Sequence, residues 1–283
     1  MEGTPLPRVL RTRDELRAAL AEAPRPLGLV PTMGALHEGH ASLIWHARSS
    51  NETVLVTIFV NPRQFNEAAD FEKYPRDETA DVRLAGASGA DLVWIPTVEE
   101  VYPAGFQTSV SVRDLTQPLE GAVRPGHFEG VTTVVAILLG LTGADHAYFG
   151  QKDAQQLLVV RRMAVDLGIG TEIVACPIVR EPDGLAMSSR NVRLSAEERA
   201  AAPILRRALL AGRALYEEGS RDGAVLRHAM NNVLATSPLA QPEYVSCADP
   251  ETLLELEAFE GPALLSMAVR FGAVRLIDNE PLP

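Results

Sequence analysis

Lysine is almost missing from this sequence of 283 residues: of 26 basic residues, only Lys73 and Lys152 are lysine and the rest are arginine. Cysteine is equally scarce. Cys176 and Cys247 stand far apart, without metal-ligand spacing, which predicts ordinary thiols in a soluble, cytoplasmic protein. No apolar run is long enough to span a bilayer and no basic-then-apolar leader opens the chain, so no membrane partner is expected. Positive charge is in the minority. The formal net charge of −11 argues against a broad nucleic-acid surface, because phosphate tracking needs clustered Lys and Arg. A small anionic substrate stays open, since local positive groups can outweigh a negative global field.

What is present is an α/β pattern. The length suffices for a full α/β core and a second, smaller unit, and the hydrophobic fraction of 46% is that of a globular protein. Thr12 with Glu15 forms a capping box that opens a helix to about Glu22. Strand-like runs at 27–30, 54–60, 91–95, 146–149 and 172–179 then alternate with helical segments at 41–48, 78–88, 128–142 and 154–165. Such alternation predicts a doubly wound parallel sheet, whose ligands bind at the carboxyl ends of its strands. The pattern changes after residues 181–184. Helices are expected at 196–218 and 222–235, and strands at 243–247, 263–271 and 274–277, the last two joined at Gly272 and Ala273. That is a small α+β unit. No internal repeat or low-complexity segment appears.

The stretch PTMGALHEGH at 31–40 carries the strongest chemical signal. It runs from a buried strand through a glycine-containing turn into a helix, which places free N–H groups and the positive end of the helix dipole at a phosphate site. His37 and His40 share one face of the first turn, so both rings can reach the same bound group. Imidazole donates through N–H whether neutral or charged, which suits a phosphoryl group whose charge grows in a transition state. Metal ligation and plain surface histidines are the alternatives. Zn²⁺ needs three or four protein ligands, and this spacing is not the His-Glu-x-x-His of metalloproteases. Three of the six histidines fall within 37–46, a clustering that chance rarely gives.

Lys152 lies in FGQKD, again between an apolar run and a helix. Where basic positions are nearly all Arg, a retained Lys points to a need for a compact ammonium, with a leftover surface lysine as the bland alternative. Two further loops carry polar chemistry. Asn61 and Gln64 in VNPRQF offer amide donors and acceptors suited to hydroxyls and a carboxylate. Met187, Ser188, Ser189 and Arg190 combine hydroxyls, backbone N–H groups and a guanidinium in a loop that could close over a triphosphate.

Taken together, PTMGALHEGH, VNPRQF, KYPRD, RPGHFEG, FGQKDAQQ and VREPDGLAMSSRN, in order from Pro31 to Asn191, resemble the pantothenate synthetases, the AMP-forming pantoate–β-alanine ligases of the HxGH nucleotidyltransferase superfamily. The tail from Ser195 carries no quoted motif and is assigned by continuity. The resemblance implies a Rossmann-like ATP- and pantoate-binding domain over residues 1–180 and a smaller α+β lid domain over 181–283. It also implies ATP as co-substrate, Mg²⁺, (R)-pantoate and β-alanine as substrates, and a homodimer. ATP would be bound by Met33, Gly34, Ala35, Leu36, His37, Glu38, Gly39 and His40, by Gly150, Gln151, Lys152 and Asp153, by Val179, and by Met187, Ser188, Ser189 and Arg190. His40 would donate a proton or stabilise the transition state, with His37, Lys152, Ser188, Ser189 and Arg190 beside it as catalytic groups. Gln64 and Gln156 would bind pantoate, with Asn61 close by and Gln64 also near β-alanine. Asp81 would be the acidic partner of Mg²⁺, although the residue before it is Ala80 where some relatives have a second acid. Arg124 and His127 lie in a matched segment without an assigned role. Two alternative readings remain: another nucleotidyltransferase of the superfamily, or a non-catalytic nucleotide-binding sensor.

Overall fold

The computed structural model describes residues 6–65 and 71–283. They form two compact units. The first comprises Met1–Thr116, Val123–Gln151 and Gln156–Pro177, and the second Gln117–Ala122, Lys152–Gln155 and Ile178–Pro283.

The first unit is built on strands β1 (Arg8–Leu10), β2 (Leu27–Thr32), β3 (Thr53–Ile58), β4 (Leu92–Trp94), β5 (His146–Gly150) and β6 (Glu172–Cys176). They lie in the order β1-β4-β3-β2-β5-β6, and every pairing is parallel. From β2 the chain winds outward through β3 to β4, then returns to the other side of β2 for β5 and β6. The expected doubly wound sheet is present, and its topological switch point lies between β2 and β5, paired through Gly28–His146 and Leu29–Ala147.

Both faces of this sheet are covered, which is why its strands read as unbroken apolar runs. Along β2 and β3 the side chains alternate between two cores. Leu29 and Leu55 join Trp94, Val131, Leu139 and Met163 on one face. Val30, Val54 and Val56 join Ile44, Ala47 and Val93 on the other. The capping box of Thr12 and Glu15 is formed and starts the helix Arg13–Glu22. Helix His127–Thr142 packs so closely on the loop after β3 that a Cβ on Gly130 would lie 2.3 Å from the Arg63 carbonyl oxygen, so only glycine fits.

The second unit has three antiparallel strands, β7 (Gln241–Ala248), β8 (Ala263–Phe271) and β9 (Val274–Leu282), in that order. Helices Ile204–Glu217 and Gly223–Leu234 contribute Leu205, Leu209, Leu226 and Met230 to a core with Leu265, Met267, Val269 and Phe271.

The structure departs from the sequence expectations at several elements; among them β6 ends at Cys176 rather than at 179. β1 is a strand of three residues, too short for an apolar period to show. The single helix expected at 196–218 is two, Ala196–Ala201 and Ile204–Glu217, because Pro203 lacks an N–H and its ring blocks the preceding turn. β9 continues past Ile277 to Leu282, through Asp278, Asn279, Glu280 and Pro281. Those three polar residues are buried, and Pro281 is tolerated because β9 pairs with β8 alone.

Candidate active site

The loop after β2 is shaped by a carboxylate from a distant helix. Asp81, on Glu78–Ala87, is 4% exposed and accepts from the N–H of Ala35 at 2.9 Å and of Leu36 at 2.7 Å. Gly34 has φ +82°, and a Cβ there would lie 2.9 Å from Asp81 Oδ2. Ala35 follows with φ 50°, a left-handed conformation uncommon for alanine, and the Asp81 bond to its N–H helps hold it there. Burial pushes the Asp81 carboxyl above its ordinary value, and the two N–H bonds pull it back only in part.

His37 is the N-cap of helix Glu38–Ser50. Its Nδ1 accepts from the Gly39 N–H at 3.1 Å, and His40 Nδ1 accepts from the His37 N–H at 3.3 Å, so the two rings complete a capping box. The ring centroids are 4.2 Å apart. Because both Nδ1 atoms accept, each neutral ring carries its proton on Nε2, at the far end of the imidazole. The sequence led us to expect free backbone N–H groups in this turn. Instead those of Ala35, Leu36, His37 and Gly39 are bonded to Asp81 and to the two imidazoles. A distant acid and two aromatic caps take up these donors, so the donors of the histidine pair are ring Nε2–H groups.

Asn61 and Gln64 follow β3. Asn61 is 1% exposed and is bonded on every side. Its Nδ2 donates to Gln64 Oε1 and to the Gly130 carbonyl, each at 3.0 Å, while Oδ1 accepts from the Arg63 N–H at 3.2 Å and the Tyr102 hydroxyl at 2.8 Å. Asn61 therefore holds Gln64 from within the fold, and a buried amide with four partners has no capacity left for a ligand. Gln64 is half-buried and also donates from Nε2 to Met33 Sδ. Burial pushes the Tyr102 phenol up to about 12, so it stays a hydrogen-bond donor to Asn61 at neutral pH.

The segment without an assigned role now has one in the geometry. His127 Nδ1 donates to the Gln64 carbonyl at 2.8 Å, Arg124 donates to the same oxygen at 3.3 Å, and Arg124 Nη1 lies 3.1 Å from His127 Nε2. Arg124 and His127 thus fix the backbone of Gln64 over a separation of sixty residues or more, which no local pattern could show. Beside them is a cavity of about 300 Å³ lined in part by Gln64, Phe65, His127 and Thr133. Gly150 and Gln151 leave the end of β5, and Gln156 lies on helix Ala154–Asp166, half-buried.

The other sequence candidates belong to the second unit. Half-buried Lys152 and exposed Asp153 complete a 3₁₀ turn after β5. Val179, Met187, Ser188, Ser189 and Arg190 flank or end a small hairpin. In it Arg180 bridges Ala186, the Met187 N–H donates to the Val179 carbonyl at 3.0 Å, and Ser188 Oγ accepts from the Arg190 N–H at 3.2 Å. Arg199 ties the hairpin to the next helix through Glu181 and Asp183.

Mg²⁺ finds no protein cage here. Among the described residues no group of three or more His, Cys, Asp or Glu could hold a metal ion, and Asp81 already spends both oxygens on backbone N–H groups. This donor set does not fit a cation ligated by side chains.

A parallel sheet with paired imidazole donors at its switch point is the architecture of a nucleotide-handling α/β enzyme. A family model described as pantoate-beta-alanine ligase matches residues 8–281. The pantothenate synthetase of Chloroflexus aggregans is 58% identical over 273 residues, covering 96% of this chain and 98% of that protein. The crystal structure of pantothenate synthetase from Thermus thermophilus superimposes with a TM-score of 0.92 at 49% identity, covering 96% and 98% of the two chains. That of pantoate–β-alanine ligase from Francisella tularensis, complexed with β-γ ATP and β-alanine, gives a TM-score of 0.79 at 31% identity, covering 97% of each. The chain belongs to the pantoate–β-alanine ligase family. It is an ATP-dependent carbon–nitrogen ligase that condenses pantoate with β-alanine.

Proposed function

We propose that the reaction runs in two steps and that the residues named above divide the work. The carboxylate of (R)-pantoate attacks the α-phosphate of ATP, giving pantoyl adenylate and pyrophosphate. The amine of β-alanine then attacks the mixed anhydride, giving pantothenate and AMP. Nucleophile and triphosphate are both anions, so donors and cations must screen them and hold the attack in line. His37 and His40 donate from Nε2 to the phosphoryl oxygens as charge builds on them, a role supported by the two Nδ1 atoms that are turned back to the backbone. Lys152 steadies the phosphates, and Ser188, Ser189 and Arg190 supply further donors to them. Gln64 and Gln156 bind pantoate through their amides. Mg²⁺ would accompany ATP on its phosphate oxygens and waters, as this ion commonly does.

The observation that carries this reading is the imidazole pair in the turn after β2, capping its helix with the rings tilted 44° to one another. Family membership supports a cytoplasmic homodimer as its setting. Among the described residues no helix is long and apolar enough to cross a membrane. The test is pyrophosphate release from ATP and pantoate, with and without β-alanine. A single-turnover burst that needs pantoate but not β-alanine supports the adenylate route. Release that requires both substrates at once would sink it.

A further inference from the structure

Lys152 carries its charge on a flexible stem, so its reach depends on where its backbone is held. The Lys152 carbonyl accepts from Asn279 Nδ2 at 2.9 Å. Asn279 lies on β9 and is 2% exposed. Its neighbour Asp278, with a side chain 1% exposed, takes both guanidinium nitrogens of Arg180 at 2.7 and 2.9 Å. Arg180 is the residue that opens the hairpin leading to Ser188, Ser189 and Arg190, and it also donates to the Gly184 carbonyl at 3.1 Å. The next residue, Glu280, pairs with Arg206 and Arg213 of helix Ile204–Glu217 and so fixes the strand to the core of its unit.

Asn and Asp are poor strand residues, and burying them is unfavourable without a compensating hydrogen bond, which Asn279 makes through Nδ2 and Asp278 through both oxygens. Successive side chains on a strand point to opposite faces, so contact with one segment cannot account for both. Each of the two instead holds a different incoming segment, and both segments carry groups we assign to the phosphates. We propose that Asn279 and Asp278 are positioning residues for the ligase reaction, holding the Lys152 corner and the loop at 187–190 at one fixed spacing. Neither touches substrate. Asn279 acts through Lys152, and Asp278 through Arg180 and the hairpin behind it. The proposal rests on the reading of Lys152 as a phosphate-handling group.

The experiment measures single-turnover adenylation and equilibrium ATP binding for Asn279→Ala in the wild-type and the Lys152→Ala backgrounds. In the wild-type background the rate should fall by about 10- to 100-fold, as for a misplaced catalytic group, with ATP affinity nearly unchanged. In the Lys152→Ala background Asn279→Ala should cost less than about twofold more, because the two residues act as one unit. Equal fractional losses in the two backgrounds, or a wild-type rate for Asn279→Ala, would overturn the proposal and leave the reading of Lys152 intact. A wild-type rate for Lys152→Ala alone would remove that reading, and the proposal with it. If Asn279→Ala loses its cooperative thermal transition, Asn279→Asp keeps the volume, removes the donor, and is judged by the same outcomes. Asp278→Asn should show the same dependence on Arg190→Ala.

Discussion

The two units bury their carboxylates by opposite means. In the first, Asp81 is surrounded by backbone N–H groups, and burial leaves its carboxyl above the ordinary value. In the second, acids meet arginines, and Asp278, Glu120 and Glu280 among them are buried. Asp278 pairs with Arg180, Glu120 with Arg275, Glu243 with Arg275 and Arg270, and Glu280 with Arg206 and Arg213. Burial pushes Glu243 and Glu280 up, but their arginines more than reverse it and hold both below the ordinary carboxylate value. The difference shows what each carboxylate is for. Neutral N–H partners make Asp81 a template for the shape of one loop. Forks make the acids of the second unit crosslinks between segments 98 positions apart for Arg180 and Asp278, and 155 apart for Glu120 and Arg275. At Arg180 and Arg275 a lysine could not make the same two-pronged bond. A bidentate crosslink needs a planar fork, and Lys152 is kept where a fork is not the requirement.

The largest effect tests the first unit's reliance on neutral donors. Replacing His40 with Ala should slow adenylation by about two to four orders of magnitude, as for a lost transition-state donor, and leave folding intact. His37→Ala should fall in the same range. Near-normal single-turnover rates in both variants would break the assignment, and loss of bound zinc would revive a metal role for the pair.

Next in size is the one lysine in a unit crosslinked by arginine. Lys152→Arg keeps the charge yet should lose most activity, about 10-fold or more, while keeping much of its ATP affinity. Lys73→Arg, exposed in the turn before Tyr74, should lose much less. A wild-type rate for Lys152→Arg would show that positive charge alone suffices, and the contrast between fork and ammonium would then carry no chemistry.

The smallest effect is in the response to acid. Glu243 and Glu280 have folded values below their unfolded ones, so their stabilisation is present above the ordinary 4.5 and is lost as pH falls through the folded values. Asp81 has the opposite sign. Its folded value is raised, so its contribution is fully present below the unfolded value and is lost as pH rises through the folded one. Below about pH 4.5, hydrogen exchange corrected for its intrinsic rate should therefore rise in β8 and β9 before it rises in β2 and β3. Simultaneous exposure of both sheets, or earlier opening of β2 and β3, would contradict the comparison.

How much of this was legible from sequence depended on the range of the contacts involved. The six-stranded sheet could be read because its strands are buried on both faces and appear as apolar runs. The histidine pair could be read because its two members share one helical turn. Asp81 could be named, but not its grip on Ala35 and Leu36, since a bond across 46 positions leaves no local pattern. Asn61 looked like a ligand residue because a loop amide usually faces water, and only the packing of Gly130 and Tyr102 shows otherwise. Asp278, Asn279 and Glu280 looked like the end of a strand for a similar reason. Three polar residues in a row suggest solvent unless their partners are known. The break at Pro203 is legible, since proline lacks an N–H, but the residues on both sides favour helix and hide it in a single helical run.

The lateness of β9 in the chain bears on the order in which a growing polypeptide becomes an enzyme. Strands β1 to β6, with the histidine turn, come from the first 176 residues and pair among themselves. The partner of the Lys152 carbonyl arrives 127 positions after it. We expect a nascent chain to shelter its first core and set both imidazoles while the lysine corner is still unsecured. Contacts of such long range also close slowly, because a long loop must be ordered before they form. A chain stopped after Ile277 should bury Trp94 as the full protein does, by its fluorescence, yet release little pyrophosphate from ATP and pantoate. Full release by that chain would show that the corner is secured without the strand. On the role proposed for Lys152, pyrophosphate release therefore waits on residues 278–280 reaching the corner.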